Sequence, residues 1–121
     1  MGAINNNLYG LWKMTAMRYQ NDTGSWESES VFGGTSMFTS RGHILTFTSA
    51  EIPFGYSGTF TMQGDDLVIT PEVCSIPELE KTTIRRTVKS ITAETLTLGM
   101  VDSATGRNYE IDLKLLAKTF N

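Results

Sequence analysis

Cysteine and histidine are the scarcest reactive residues in this 121-residue chain, with one of each, Cys74 and His43. A single cysteine excludes an internal disulfide, and one residue of each kind nearly excludes a metal site built on thiolates and imidazoles. Proline occurs three times and no low-complexity run is present, so there is little to support a disordered reading. No apolar run approaches the roughly 20 residues of a membrane-spanning helix. The opening MGAINNN has no basic stretch followed by an apolar one, so no signal peptide is expected. Charge of one sign is also lacking. Ten Lys and Arg against 13 Asp and Glu give a net charge of -3, too weak a field to suggest nucleic-acid binding. Phosphate-cradling glycine loops, serine-elbow motifs and dinucleotide fingerprints are missing as well. What remains is one small domain over 1–121, expected in a reducing cytoplasm, without metal, cofactor, nucleic-acid or membrane partner.

What the chain does have is alternation. Apolar and polar residues succeed each other at period two in segment after segment, the pattern of half-buried strands. Eight strands are predicted, at 9–20, 25–39, 43–49, 56–63, 66–70, 82–91, 94–101 and 107–117. Gly33-Gly34 suits a bulge or bend within the long second strand. Three connections are tight: Ser40-Arg41-Gly42, Gly64-Asp65 and Thr92-Ala93. The others are longer: Asn21 to Gly24, Ala50 to Gly55, Pro71 to Lys81 and Asp102 to Gly106. If successive strands run up and down, the long connections gather at one end and the tight ones at the other. Eight such strands hide their edges by closing into an antiparallel up-and-down β-barrel with one open mouth and one closed end.

The opening Leu8-Tyr9-Gly10-Leu11-Trp12-Lys13 resembles the Gly-x-Trp first strand of the lipocalins and their calycin relatives. Gly55-Tyr56-Ser57-Gly58-Thr59-Phe60 resembles the middle strands of small bacterial lipocalin-like domains. In length and strand count the resemblance covers nearly the whole chain. It implies an all-β, lipocalin-like barrel with Trp12 plugging the closed end, beneath a basic residue for which Lys114 or Lys118 is nominated. The plain loop Asn21-Asp22-Thr23-Gly24 departs from the fatty-acid-binding proteins, which insert two helices there. The avidins' set of biotin-contacting tryptophans is missing too.

With Trp12 inward, alternation places Met14, Ala16 and Arg18 on its face, and Met17 and Tyr19 on the other. Strand six offers Ile84, Arg86 and Val88 inward. The last strand offers Tyr109, Ile111, Leu113 and Leu115. Met100, Tyr56, Phe47, Ile69 and Trp26 complete a predicted upper cavity of Arg18, Trp26, Phe47, Tyr56, Ile69, Ile84, Arg86, Met100 and Tyr109. His43 follows a tight turn and so falls at the closed end, as a structural residue. Glu27 and Glu29 are expected to face solvent. Val73, Ile76 and Leu79 have the spacing of a short helical turn across the mouth, with Ile52 and Phe54 as apolar cover opposite.

Apolar walls carrying a few polar groups define a small-molecule pocket. The leading reading is a barrel that binds a small, largely apolar molecule with an acidic or enolic group held by Arg18 or Arg86. The alternative is a cofactor-free isomerase, cyclase or hydrolase acting on a small biosynthetic intermediate, with Tyr56, Tyr109 and Arg18 as acid or oxyanion-stabilising groups. A solid, packed barrel serving as an interaction module is the third. Met17, Tyr19 and Val31 on the predicted outer face nominate a homodimer patch.

Overall fold

The computed structural model describes residues 6–29, 34–48, 54–102 and 105–118. Within them lie β1 (Gly10–Gln20), β2 (Trp26–Glu29), β3 (Thr35–Phe38), β4 (His43–Thr48), β5 (Phe54–Gln63), β6 (Asp66–Cys74), β7 (Ile84–Ile91), β8 (Thr95–Val101) and β9 (Asn108–Ala117). Single 3-10 turns stand at Asn6–Leu8 and Pro77–Leu79. Every pairing is antiparallel, each strand bonds to its neighbour in sequence from β3 to β9, and β9 returns to β1. β2 and β3 both pair with β1, on its late and early halves, and so form one stave of a closed eight-stave barrel. The bulge or bend expected at Gly33-Gly34 falls on residues 30–33, which lie outside the described residues, and on Gly34, whose carbonyl accepts from the Met14 amide at 2.8 Å.

The connections sort as their lengths imply. Short turns join β3 to β4, β5 to β6 and β7 to β8 at one end, and the longer segments gather at the other. Gly42 and Gly64 take φ of 82° and 65° in two of the short turns, a left-handed conformation that favours glycine. β6 is longer than expected: it continues through Cys74, opposite Tyr56. Pro71 is tolerated there because it lies past the last β6–β7 pair, Ile69↔Ile84, where no bond to β7 is lost.

The core fills the closed half. Trp12 is fully buried and packs in a cluster with Leu8, Phe38, Phe60, Leu67, Leu96 and Leu113. Its indole N–H donates to the Leu8 carbonyl at 2.9 Å, so the turn at Asn6–Leu8 both caps the barrel and satisfies the one polar atom of its plug. That replaces the basic residue nominated for the site, since Lys114 and Lys118 are both exposed. A Cβ on Gly10 would stand 2.7 Å from the Ala117 carbonyl oxygen, which explains the glycine two residues before the plug: β9 closes directly over its backbone.

Candidate functional site

The open half is built differently. A cavity of about 840 Å³ lies at the long-loop end, bounded inside by Phe54, Tyr56, Ile84, Arg86, Met100 and Tyr109 and covered by Leu79 from the 3-10 turn. That turn sits where the Val73, Ile76, Leu79 spacing predicted one. Ile52, the other expected cover residue, lies outside the described residues, as does Val31. Six of the nine residues expected in the upper cavity line it: Trp26, Tyr56, Ile84, Arg86, Met100 and Tyr109. Trp26 stands opposite Gln20 at the rim and is 42% exposed.

Arg18, Phe47 and Ile69 do not line it. Arg18 is displaced by a β-bulge in β1: Met14 lies opposite Leu113 but Ala16 opposite Asp112, leaving Thr15 as the extra residue. One extra residue inverts the alternation beyond it. Met17 and Tyr19 therefore fall on the side of Ile111 and Tyr109, while Ala16 and Arg18 turn to the outer face beside Asp112 and Glu110. There Arg18 donates from Nε to Glu110 and from Nη1 to Asp112, each at 2.8 Å, and Thr97 donates to the same Asp112 carboxylate at 2.8 Å. The hydrogen bond from Arg18 holds the Asp112 carboxyl below the usual carboxylate range. The inversion also removes Met17 and Tyr19 from the outer face and with them the basis of the dimer patch.

Phe47 is 50% exposed, because β4 runs in the opposite phase to that expected, with Ile44 buried and Thr46 on the same inward side. His43 is accordingly exposed on the outer face. Ile69 does point inward, but it lies opposite Phe60 in the middle of the barrel and belongs to the packed core rather than to the cavity wall. Glu27 and Glu29 are exposed as expected, yet they stand opposite Tyr19 and Met17, and Glu29 shares a second mouth recess with Arg86, Met100, Asp102 and Tyr109.

At the centre of the cavity are Tyr56 and Arg86. The Tyr56 phenol is buried, and burial raises its pKa, opposed by a hydrogen bond with Thr46 and by the positive charge of Arg86. Thr46 in turn bonds Ser36 at 3.0 Å, so a file of hydroxyls runs from β3 across β4 to Tyr56 on β5. Arg86 is partly buried, and desolvation lowers its pKa. Its guanidinium donates to the Arg85 carbonyl at 3.0 Å, and among the described residues no carboxylate lies within ion-pairing distance of it. At the rim, Tyr19 and Tyr109 meet with ring centroids 6.1 Å apart, and Arg107 lies 4.7 Å over the Tyr19 ring.

Sequence reasoning missed the contributions of Met17 and Tyr19, for which the only signal is a bulge at Thr15 that no glycine marks. The chemistry available is that of a half-apolar cup with one desolvated guanidinium and one neutral phenol facing its contents. Among the described residues no group of three metal-ligating side chains occurs, and no helix is long and apolar enough to cross a membrane.

An up-and-down antiparallel barrel, plugged by tryptophan at one end and hollow at the other, is the architecture of the lipocalin-like proteins, and solved structures bear this out. A lipocalin-like protein from Bacteroides uniformis superposes with a TM-score of 0.61 at 14% identity, covering 91% of this chain and 99% of its own. An uncharacterized protein from Bacteroides eggerthii gives 0.59 at 15%, over 93% of this chain and 99% of its own. A de novo designed fluorescence-activating β-barrel gives 0.55 at 13%, over 93% of this chain and 99% of its own. The fold is lipocalin-like. No family model matches the sequence, and no curated protein matches it.

Proposed function

We propose that the barrel binds a small, largely apolar molecule whose acidic or enolic group is held by Arg86, with the Tyr56 hydroxyl as a second donor. The observation that carries this reading is the position of Arg86. A guanidinium drawn into the wall of a half-apolar cavity, with no carboxylate within ion-pairing distance among the described residues and with Glu29 and Asp102 only sharing the neighbouring recess, is a costly arrangement in an empty barrel and a favourable one around an anion. Phe54, Ile84, Leu79 and Met100 supply the apolar contact, and Tyr109 closes the rim. Arg18, the other candidate anchor, is spent on the outer face.

The test is titration with 1-naphthoate and with neutral 1-naphthalenemethanol, followed through quenching of Trp26 at the rim. Arg86→Gln is expected to weaken the acid roughly tenfold, the cost of one charge-assisted contact, while leaving the alcohol within twofold. Equal affinity of wild type and variant for 1-naphthoate overturns the reading.

A second reading rests on the raised pKa of Tyr56. A phenol kept neutral beside a guanidinium is also the donor that a cofactor-free isomerase, cyclase or hydrolase would need, with Tyr109 across the mouth. The lone, buried Cys74 fits a reducing cytoplasm, and the barrel is taken to be the one domain of residues 1–121.

A further inference from the structure

β7 divides its pairing between its neighbours along its length. Its first half is bonded to β6, from Ile84↔Ile69 to Thr87↔Asp66, and its second half to β8, from Thr87↔Gly99 to Ile91↔Leu96. β8 nevertheless continues to Val101, paired throughout with β9. Between Ile84, Arg85 and Arg86 on one side and Met100 and Val101 on the other, no pairs form, and the barrel wall is notched at the mouth. The cavity lining follows this notch outward: beyond Arg86 and Met100 it includes Lys89, Gly99 and Glu110, whose side-chain positions belong to the outer face.

Lys89 is aimed at the notch by two local features. A register shift between Val88 and Ser90 makes it the extra residue of a bulge. The absence of a side chain at Gly99 then lets its stem lie across the β8 backbone: a Cβ there would stand 2.7 Å from Lys89 Cε and 3.4 Å from Cγ. Gly99 is nearer the mouth than the residues beside Lys89, so the stem runs toward the notch and delivers its ammonium to the outer lip. Among the described residues Lys89 makes no ion pair. Of the two carboxylates on the same lining, Glu110 is paired with Arg18 at 2.8 Å and Asp66 accepts from the Thr87 hydroxyl at 3.3 Å while keeping its charge, and Glu29 and Asp102 lie in the adjoining recess, so the cations of the lining outnumber its carboxylates but do not stand clear of acidic groups. Arg85 adds a third cation on the outer side.

We propose that the notch is the outer half of the anion site, so that the ligand's head group is dianionic: Arg86 and Tyr56 hold it from inside the barrel, Lys89 from outside, and its apolar body fills the mouth. This rests on the binding reading above and goes beyond it in naming the head group, either a phosphate monoester or a pair of neighbouring carboxylates. A monoanion meets Arg86 alone, whereas a dianion straddling the notch meets both cations.

The probes are 1-naphthyl phosphate, 1,8-naphthalenedicarboxylate and 1-naphthoate, titrated at pH 8 against wild type, Lys89→Gln and Arg86→Gln, with melting temperatures recorded for each variant. One or both dianions are expected to bind wild type more tightly than 1-naphthoate, and the one that does so identifies the head group. Lys89→Gln is expected to cut that preference by roughly fivefold, the scale of an exposed charge contact, and to leave 1-naphthoate unchanged. For the phosphate, the preference also shrinks at pH 5, where the monoester takes up a proton near its second pKa of about 6. If Lys89→Gln leaves the dianion preference unaltered while Arg86→Gln still weakens 1-naphthoate, the outer subsite is overturned and the inner reading stands. If no probe binds, or Arg86→Gln weakens none, both fall.

Discussion

The two ends of the barrel treat polar atoms in opposite ways. At the closed end the single polar atom of the plug, the Trp12 indole nitrogen, has its acceptor 2.9 Å away on Leu8, and everything around it is apolar and buried. At the open end Arg86 is brought inward with one carbonyl for company, and Tyr56 is kept neutral beside it. A polar group with its partner built in serves the fold; one without a close counter-charge carries a desolvation cost that the fold leaves unrecovered, and the proposed anion site rests on that difference. The two arginines of the predicted cavity repeat the contrast, Arg18 locked to two carboxylates outside and Arg86 within ion-pairing distance of none among the described residues.

The largest effect that bears on this contrast is at the plug. Trp12→Ala removes a fully buried indole and strands the Leu8 carbonyl, and the expected loss is about 3–5 kcal/mol of folding stability, read as a lowered urea midpoint. The variant that remains folded at low temperature should still bind 1-naphthoate, since the cavity lies at the other end. Loss of binding at full helix-free circular dichroism signal would mean that the two halves are not independent.

Arg86→Met should do the reverse. Exchanging an uncompensated inward cation for an apolar chain of similar reach is expected to raise stability by roughly 1 kcal/mol while abolishing the preference for acids over alcohols. A stability loss in this variant would show that the guanidinium is already compensated in the free protein, and the contrast between the ends would weaken.

Much of this was legible in the sequence, and the failures have one physical origin. Strand number, the sorting of tight and long connections, and the inward faces of β7, β8 and β9 follow from alternation, because a period-two pattern survives as long as pairing is regular. Arg18 and Phe47 were misplaced because alternation fixes the phase of a strand only when nothing interrupts it or when its two faces differ clearly. β1 contains a bulge at Thr15, where neither glycine nor proline signals one. β4 reads His-Ile-Leu-Thr-Phe-Thr, with apolar residues on both faces, and its neighbours decide in favour of Ile44. The notch beside Arg86 is of the same kind: it arises from how β7 divides its bonds between β6 and β8, which no residue pattern within β7 records.

The smallest effect expected concerns the outer face, and it tests whether Arg18 has been assigned to the right side of the wall. Asp112 has its folded-state pKa lowered, first by the hydrogen bond from Arg18, so the pair contributes stability that is complete above the ordinary carboxylate value of about 3.9 and is lost as pH falls through the lower folded value. Both side chains are about a third exposed, which limits the contribution to less than about 1 kcal/mol. Urea midpoints of wild type and Asp112→Ala should therefore differ by a small, constant margin at pH 7 and pH 5, and the margin should begin to narrow at pH 3, where the Asp112 carboxyl of the unfolded chain takes up its proton more readily than the folded one. A margin that persists unchanged at pH 3 would assign the loss to packing or to the Thr97 hydrogen bond rather than to the ion pair. Arg18→Gln carries the complementary readout: on the outer face it should leave 1-naphthoate affinity within twofold of wild type, and a larger loss would return Arg18 to the cavity.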